Sequence, residues 1–165
     1  MRHSTSRVGA IFAALLVALT APANSSTPDA DLVGSAIVRD DASLQIEAKI
    51  VRLHGIFIPS DGMRCQTRLR PVRCASRAAL ALESKIQGMV HCHAVSRNAD
   101  GSLSATCFVG RSLASPGDNL SAYLLTNGLA LAAPDAPFEY VALERIAEAR
   151  GRGMWGFQVD EIRPR

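Results

Sequence analysis

Arg52 is the first residue with chemistry to explain. It sits in Lys49-Ile50-Val51-Arg52-Leu53, an alternating apolar run. A guanidinium half-buried among aliphatic side chains is costly without a partner, so it reaches a carboxylate, carbonyls or an anion. Asp40 or Glu47 is the expected partner, and an anion bound in a pocket is the alternative. A second positive feature follows: Arg64, Arg68, Arg70, Arg73 and Arg77, five arginines in fourteen residues with no acid among them. Such a run is an anion-binding surface or a solvated charged loop. Its spacing is not that of a groove-reading helix. His91 and His93 lie two apart on a strand and share a face, but have no third metal ligand at a suitable spacing, so an exposed hairpin face is the simpler account.

Four cysteines, Cys65, Cys74, Cys92 and Cys107, allow three pairings. Cys92 and Cys107 flank a hairpin signal at Ala99-Asp100-Gly101, which favours pairing them across adjacent strands; Cys65 and Cys74 then close the arginine-rich loop. The spacing is not a zinc pattern. Disulfides suit an exported chain, and the N-terminus agrees. Arg2 and Arg7 precede an apolar stretch at 8–19, and Ala21-Pro22-Ala23 resembles a signal-peptidase site. Residues 1–23 read as a cleaved signal peptide, with an uncleaved anchor as the alternative; the mature chain then has no transmembrane helix and is periplasmic or secreted. The 165-residue chain carries 18 basic and 15 acidic side chains, net +3. Two of those arginines, and no acid, lie in 1–23, so the mature charge is about +1, and bulk charge alone is a weak argument for nucleic acid.

The elements that must position these residues follow from periodicity. Strands are expected at 32–39, 43–48 and 49–55, with a hairpin at 89–95 and 102–109. A helix is expected at 76–87, with a stripe of Ala75, Ala79, Leu82 and Ile86 and a stop at Gly88. A second should start at an Asp118 N-cap and end at Gly128. A third should cover 139–150, with Ala142, Ile146 and Ala149 on one face and Met154-Trp155 packed back on the body. Strands first and helices after indicate α+β. One domain is expected at 33–157, after a flexible lead-in at 24–32 and before a tail at 158–165.

Two motifs at a matching interval carry a family resemblance. Val38-Arg39-Asp40-Asp41-Ala42-Ser43-Leu44 is similar to V-x-D-G-D-T-L, and Arg52-Leu53-His54-Gly55-Ile56-Phe57-Ile58-Pro59-Ser60 to R-L-x-G-I-D-x-P-E. The chain from Gly34 to Trp155 thus resembles the staphylococcal-nuclease (thermonuclease) family. The resemblance implies a five-stranded OB-fold β-barrel with three helices. That family cleaves phosphodiesters with calcium, a glutamate near the attacking water and two arginines. Here Ala42 and Phe57 stand at its ligand aspartates, Ser60 at its glutamate and Ser102 at its second arginine, so only Arg52 is retained. The resemblance therefore implies a degenerate site with no cofactor. Calcium returns only if Asp40, Asp41 and Asp61 remodel the site as a phosphodiesterase. The expected role is an accessory protein binding an anionic polymer, polysaccharide or nucleic acid, through Arg52 and the 64–77 arginines. Relatives of the family occur in exopolysaccharide (succinoglycan) biosynthesis. A structural cell-envelope domain is a further alternative.

Overall fold

The computed structural model describes residues 31–59, 64–65 and 72–156, with only the backbone for 64–65 and 72–76. The signal peptide, nearly all of the lead-in, the tail, Ser60, Asp61, Arg68 and Arg70 lie outside the described residues.

Period-two alternation builds the barrel. In β1 (Leu32–Val38) Val33, Ser35 and Ile37 face outward while Leu32 is buried. Strands β2 (Leu44–Ile46) and β3 (Lys49–Leu53) turn Leu44, Ile46, Val51 and Leu53 inward. Short β4 (Ile56–Phe57), β5 (Arg64–Cys65) and β6 (Val72–Arg73) lead to helix α1 (Cys74–Lys85). The hairpin strands are β7 (Met89–Arg97) and β8 (Leu103–Val109), followed by β9 (Asp118–Asn119), α2 (Leu120–Thr126), β10 (Leu131–Ala132), α3 (Phe138–Ala149) and a 3₁₀ turn at Gly153–Trp155.

The strand order is β3-β2-β1-β7-β8, all antiparallel. Parallel pairing of β3 with β8, Val51↔Leu103 through Leu53↔Ala105, closes the ring. The result is an α+β fold: a closed five-stranded mixed barrel of OB type with three helices. Its interior holds Leu44, Ile46, Val51, Val90, Leu103 and Ala105, and α2 adds Leu120, Leu124 and Leu125.

Cys92 and Cys107 stand directly opposite each other, as the hairpin signal indicated, and form a disulfide inside the barrel with no exposed surface. The side chains of Cys65 and Cys74 lie outside the described residues; Cys65 is in β5, which pairs with β6 (Arg64↔Arg73 and Cys65↔Val72), and Cys74 opens α1 directly after β6.

Helix details differ from the periodicity in two places. The α2 N-cap is Asn119, whose Oδ1 accepts from Ala122 N at 3.1 Å, and not Asp118. Asp118 is held in β9 opposite Val109, and its carboxylate meets Lys85 Nζ at 2.6 Å. On α3 the core-facing side chains are Tyr140, Leu143 and Ala147, whereas Ile146 is 42% exposed. The Ala142–Ile146–Ala149 stripe is thus the wrong face: the Tyr140 hydroxyl accepts from Asn119 Nδ2 at 2.9 Å and fixes the helix's rotation. Gly128 does end α2, at φ +63°, with Asn127 as C-cap. Its carbonyl accepts from Met154 N at 2.9 Å, and the Trp155 ring lies against it.

Gly55 anchors the exit from β3. Its φ is +73°, and a Cβ there would stand 2.9 Å from the Tyr140 ring. The next residues can then pair with β10 (Ile56↔Ala132, Phe57↔Leu131) only because the helix packs onto a bare backbone.

Replacing both cysteines of the interior disulfide, Cys92→Ala with Cys107→Ala, should lower unfolding stability by about 2–4 kcal/mol in a urea titration. An unchanged midpoint would show that the bridge contributes nothing.

Candidate functional site

Three elements meet at one mouth of the barrel: the β1–β2 loop, the middle of β3, and the β7–β8 turn. Arg52 projects from β3 on the face opposite Val51, half-exposed. Its Nη2 donates to Asp100 Oδ2 at 3.1 Å and its Nε to Ser102 Oγ at 3.3 Å. Nη1 stands 3.8 Å from Asp41 Oδ2. The partners of Arg52 are therefore Asp100 and Asp41, rather than Asp40 or Glu47. Asp100 is distant in sequence, and the closed ring brings it alongside.

Each carboxylate is prepared locally. Asp100 Oδ1 accepts from the Ser102 hydroxyl at 2.6 Å and from Ser102 N at 3.0 Å. Asp41 Oδ1 accepts from the Ser43 hydroxyl at 2.6 Å and from Ser43 N at 3.1 Å. Such Asx turns are what Asp two residues before Ser favours. For Asp100, the Ser102 hydroxyl and amide, then Arg52, hold the carboxyl below its ordinary value. For Asp41, partial burial pushes upward, but the two Ser43 donors with Arg52 and Arg39 outweigh it and hold the carboxyl low.

The β1–β2 loop also decides which residue faces Arg52. Ala42 adopts φ +59° and is buried, while the Asp41 carboxylate stands 3.8 Å from the Arg52 guanidinium. The carboxylate beside Arg52 is thus the residue before the one that the motif alignment places there.

Two clefts share Arg52 and Asp41. One, about 420 Å³, is lined by Arg39, Lys49, Arg52 and Arg97 together with Asp41, Asp100 and Ser102. Four cations against two carboxylates give this wall a net positive charge. The other, about 250 Å³, has Phe57 and the apolar Leu53, Ile56 and Ile58 beside Asp41, Ser43 and Arg52.

Arg97 reaches its cleft through a β-bulge. The β7–β8 register passes from Ala94↔Ala105 to Ser96↔Ser104, leaving Val95 as the extra residue. The slip puts Arg97 opposite Leu103, which lines the same cleft. Arg39, Lys49 and Arg97 were not legible as site residues in the sequence, since they are scattered singly. The bulge had no signal beyond Ser, Arg and Asn before the turn.

The 64–77 arginines are not gathered at this mouth by any described contact. Arg64 and Arg73 are paired backbone positions. Arg77 sits on α1, half-buried, with Nη1 shielded and without a hydrogen-bond partner. His54 faces Ser104, Nδ1 to Oγ 3.1 Å, as a packed histidine. His93 bonds Asp31 through Nδ1 and Arg111 through Nε2, and His91 is half-buried beside it. Among the described residues no three His, Cys, Asp or Glu side chains are placed to hold a metal ion.

Among the described residues, calcium finds a poor fit at this mouth. It needs six to eight hard oxygen ligands. Phe57 supplies none, the Ala42 methyl is buried, and a guanidinium stands 3.8 Å from the Asp41 carboxylate. Compared with known proteins, the chain matches no family model, and no curated protein sequence matches it.

An Arg52→Ala variant should raise both carboxyls part of the way back toward the ordinary aspartate range, with the Ser43 and Ser102 hydrogen bonds holding the rest, readable by NMR titration of Asp41 and Asp100. Because both are depressed in the fold, their stabilisation is complete above the unfolded value and is lost as pH falls through the lower folded values. Asp41→Asn with Asp100→Asn should therefore lose less Tm between pH 6 and pH 2 than the wild type. An equal loss in both would mean these carboxylates do not contribute.

Proposed function

We propose that this chain is an exported, nuclease-like barrel that has exchanged phosphodiester cleavage for binding, and acts as an accessory protein holding an anionic polymer. The observation that carries this reading is the convergence of Arg39, Lys49, Arg52 and Arg97 on one cleft at the barrel mouth. That mouth comprises the β3 face with the β1–β2 and β7–β8 loops, the surface on which OB barrels take oligonucleotides and oligosaccharides. Arg52 is preset: Asp100 and Ser102 hold its guanidinium in one orientation, so little side-chain entropy remains to be lost on binding. The arginines at 64, 68, 70, 73 and 77 supply further charge along the chain. The N-terminal pattern at 1–23 supports export, and the interior disulfide agrees with an oxidising compartment. No described helix is long and apolar enough to cross a membrane. An exported polymer-binding protein would serve exopolysaccharide assembly.

A second reading has one observation in its favour. Asp41 faces Arg52 across the cleft, so a carboxylate and a phosphate-neutralising cation are adjacent, as a metal-dependent phosphodiesterase requires. Its other ligands would come from Asp40 and from Asp61, which is outside the described residues.

Purified oxidised protein should not cut fluorescent single-stranded DNA with calcium, and should bind acidic polymers with a strong salt dependence. Arg97→Ala and Lys49→Ala should each weaken binding and reduce the log–log salt slope by about one. Cleavage abolished by EDTA would replace this reading with the phosphodiesterase. Binding indifferent to salt would point to a structural envelope domain.

A further inference from the structure

Asp31, His93 and Arg111 form a row of bonded side chains on the outer surface of the barrel, and none of them lines the clefts at the mouth. The β1–β7 register sets Leu32 opposite Cys92 and Val33 opposite His91. Continued by one residue, it brings Asp31 opposite His93, and His93 Nδ1 bonds Asp31 Oδ1 there. On the other side of the ring, His93 Nε2 lies 2.7 Å from Nη1 of Arg111, in the segment that follows β8. The Phe108 ring of β8 meets the imidazole edge-on, with centroids 6.1 Å apart and planes at 69°, and limits its rotation. His93 thus ties the start of β1 to the exit of β8.

The partners decide where the protons sit. A guanidinium has N–H donors and no acceptor, so Arg111 can bond Nε2 only while that nitrogen carries a lone pair. Nδ1 then holds the ring proton and donates it to the Asp31 carboxylate. The arrangement therefore belongs to neutral His93. Protonation puts a hydrogen on Nε2. Two donors, both on cations, then face each other at hydrogen-bond distance, and the contact with Arg111 cannot persist. The contact with Asp31 survives and becomes a charged pair. His91, two residues along β7, shares this face, and from β8 the ring meets Thr106 and Phe108, which carry no charge. Asp118 of β9, paired with Val109 near the end of β8, is engaged by Lys85.

We propose that His93 is a pH-sensitive latch for Arg111: the neutral imidazole fastens the guanidinium to the barrel, and the protonated one releases it to solvent while keeping Asp31. Histidine is the side chain suited to this, since its charge ordinarily changes between about pH 5 and 8. With His93 neutral, the three groups sum to no net charge. With it protonated they sum to a positive one, and Arg111 is free to meet an anion. The backbone bridge between Ser112 and Ser115 involves no titrating group, so the release concerns the side chain and not the loop.

The test is carbon-detected NMR of the doubly labelled, oxidised protein, which reads imidazole and guanidinium nitrogens without relying on their exchanging protons. At about pH 8, His93 should be protonated on Nδ1 and bare at Nε2, and Arg111 should give separate Nη1 and Nη2 signals because its bond hinders rotation. At about pH 5, His93 should carry both protons and the two Arg111 signals should merge into one. In His93→Gln, the Arg111 signals should be alike at both pH values. A wild-type His93 that is bare at Nδ1 at the higher pH overturns the latch, since Arg111 then has no acceptor. Arg111 signals that stay separate once His93 is charged overturn it as well. A merging that remains in His93→Gln assigns the response to another group and also overturns it. The two wild-type readings decide the matter even if His93→Gln fails to fold.

Discussion

The parallel ladder between β3 and β8 is the constraint on which the rest depends. Every other pairing in the barrel is antiparallel; β1–β2, β2–β3 and β7–β8 join neighbours in the chain, and β1–β7 joins partners as distant as Leu32 and Cys92. The closing pair joins residues about fifty apart, with Arg52 opposite Ser104 and Leu53 opposite Ala105. Closure, like the β1–β7 pairing, costs non-local entropy, and its return is the interior packing of Val51, Leu53, Leu103 and Ala105. It also brings the β7–β8 turn beside β3. Without it Asp100 and Ser102 would not reach Arg52, and a mid-strand arginine would be left without its principal partners.

Electrostatics at this mouth are balanced rather than saturated. Arg52 meets Asp100 directly and Asp41 at a distance, with all three partly exposed, so the pairs contribute little to stability individually. What they provide is orientation. The two Ser-stabilised carboxylates hold one guanidinium, and Arg39, Lys49 and Arg97 leave the cleft positive around it. The site therefore differs from an exposed basic loop, where each side chain must be ordered as a ligand arrives.

Much of the fold was legible because the signals were local. Alternation located the barrel strands within a few residues, the turn at Ala99-Asp100-Gly101 set the register that joins Cys92 to Cys107, and Gly128 ended α2 as its neighbours indicated. What failed depended on neighbours distant in the chain. Asp118 was a good N-cap by type, but β9 pairing and Lys85 hold it one residue outside the helix. Ala142, Ile146 and Ala149 were a sound stripe by spacing, yet the contact between Tyr140 and Asn119 turns the other face inward. At the site, Arg52 stood out because a charge in an apolar strand is conspicuous. Arg39, Lys49 and Arg97 did not, since single cations on strand ends resemble any solvated surface. The role of Asp41 depended on a positive φ at Ala42, which nothing in an Asp-Asp-Ala-Ser run announces.

The disulfide between Cys92 and Cys107 lies inside the ring of strands, with neither cysteine exposed. Thiol exchange requires a thiolate to reach a sulfur atom. A small reductant can therefore attack only after β7 and β8 part from their neighbours, and in the folded molecule the bond is shielded by geometry rather than by potential. The rate at which it is reduced becomes a clock for opening of the barrel, an event among the rarest the chain undergoes. The same shielding runs in the other direction: the two sulfurs must be joined while the hairpin is still accessible, so oxidation belongs to folding and not to the finished protein.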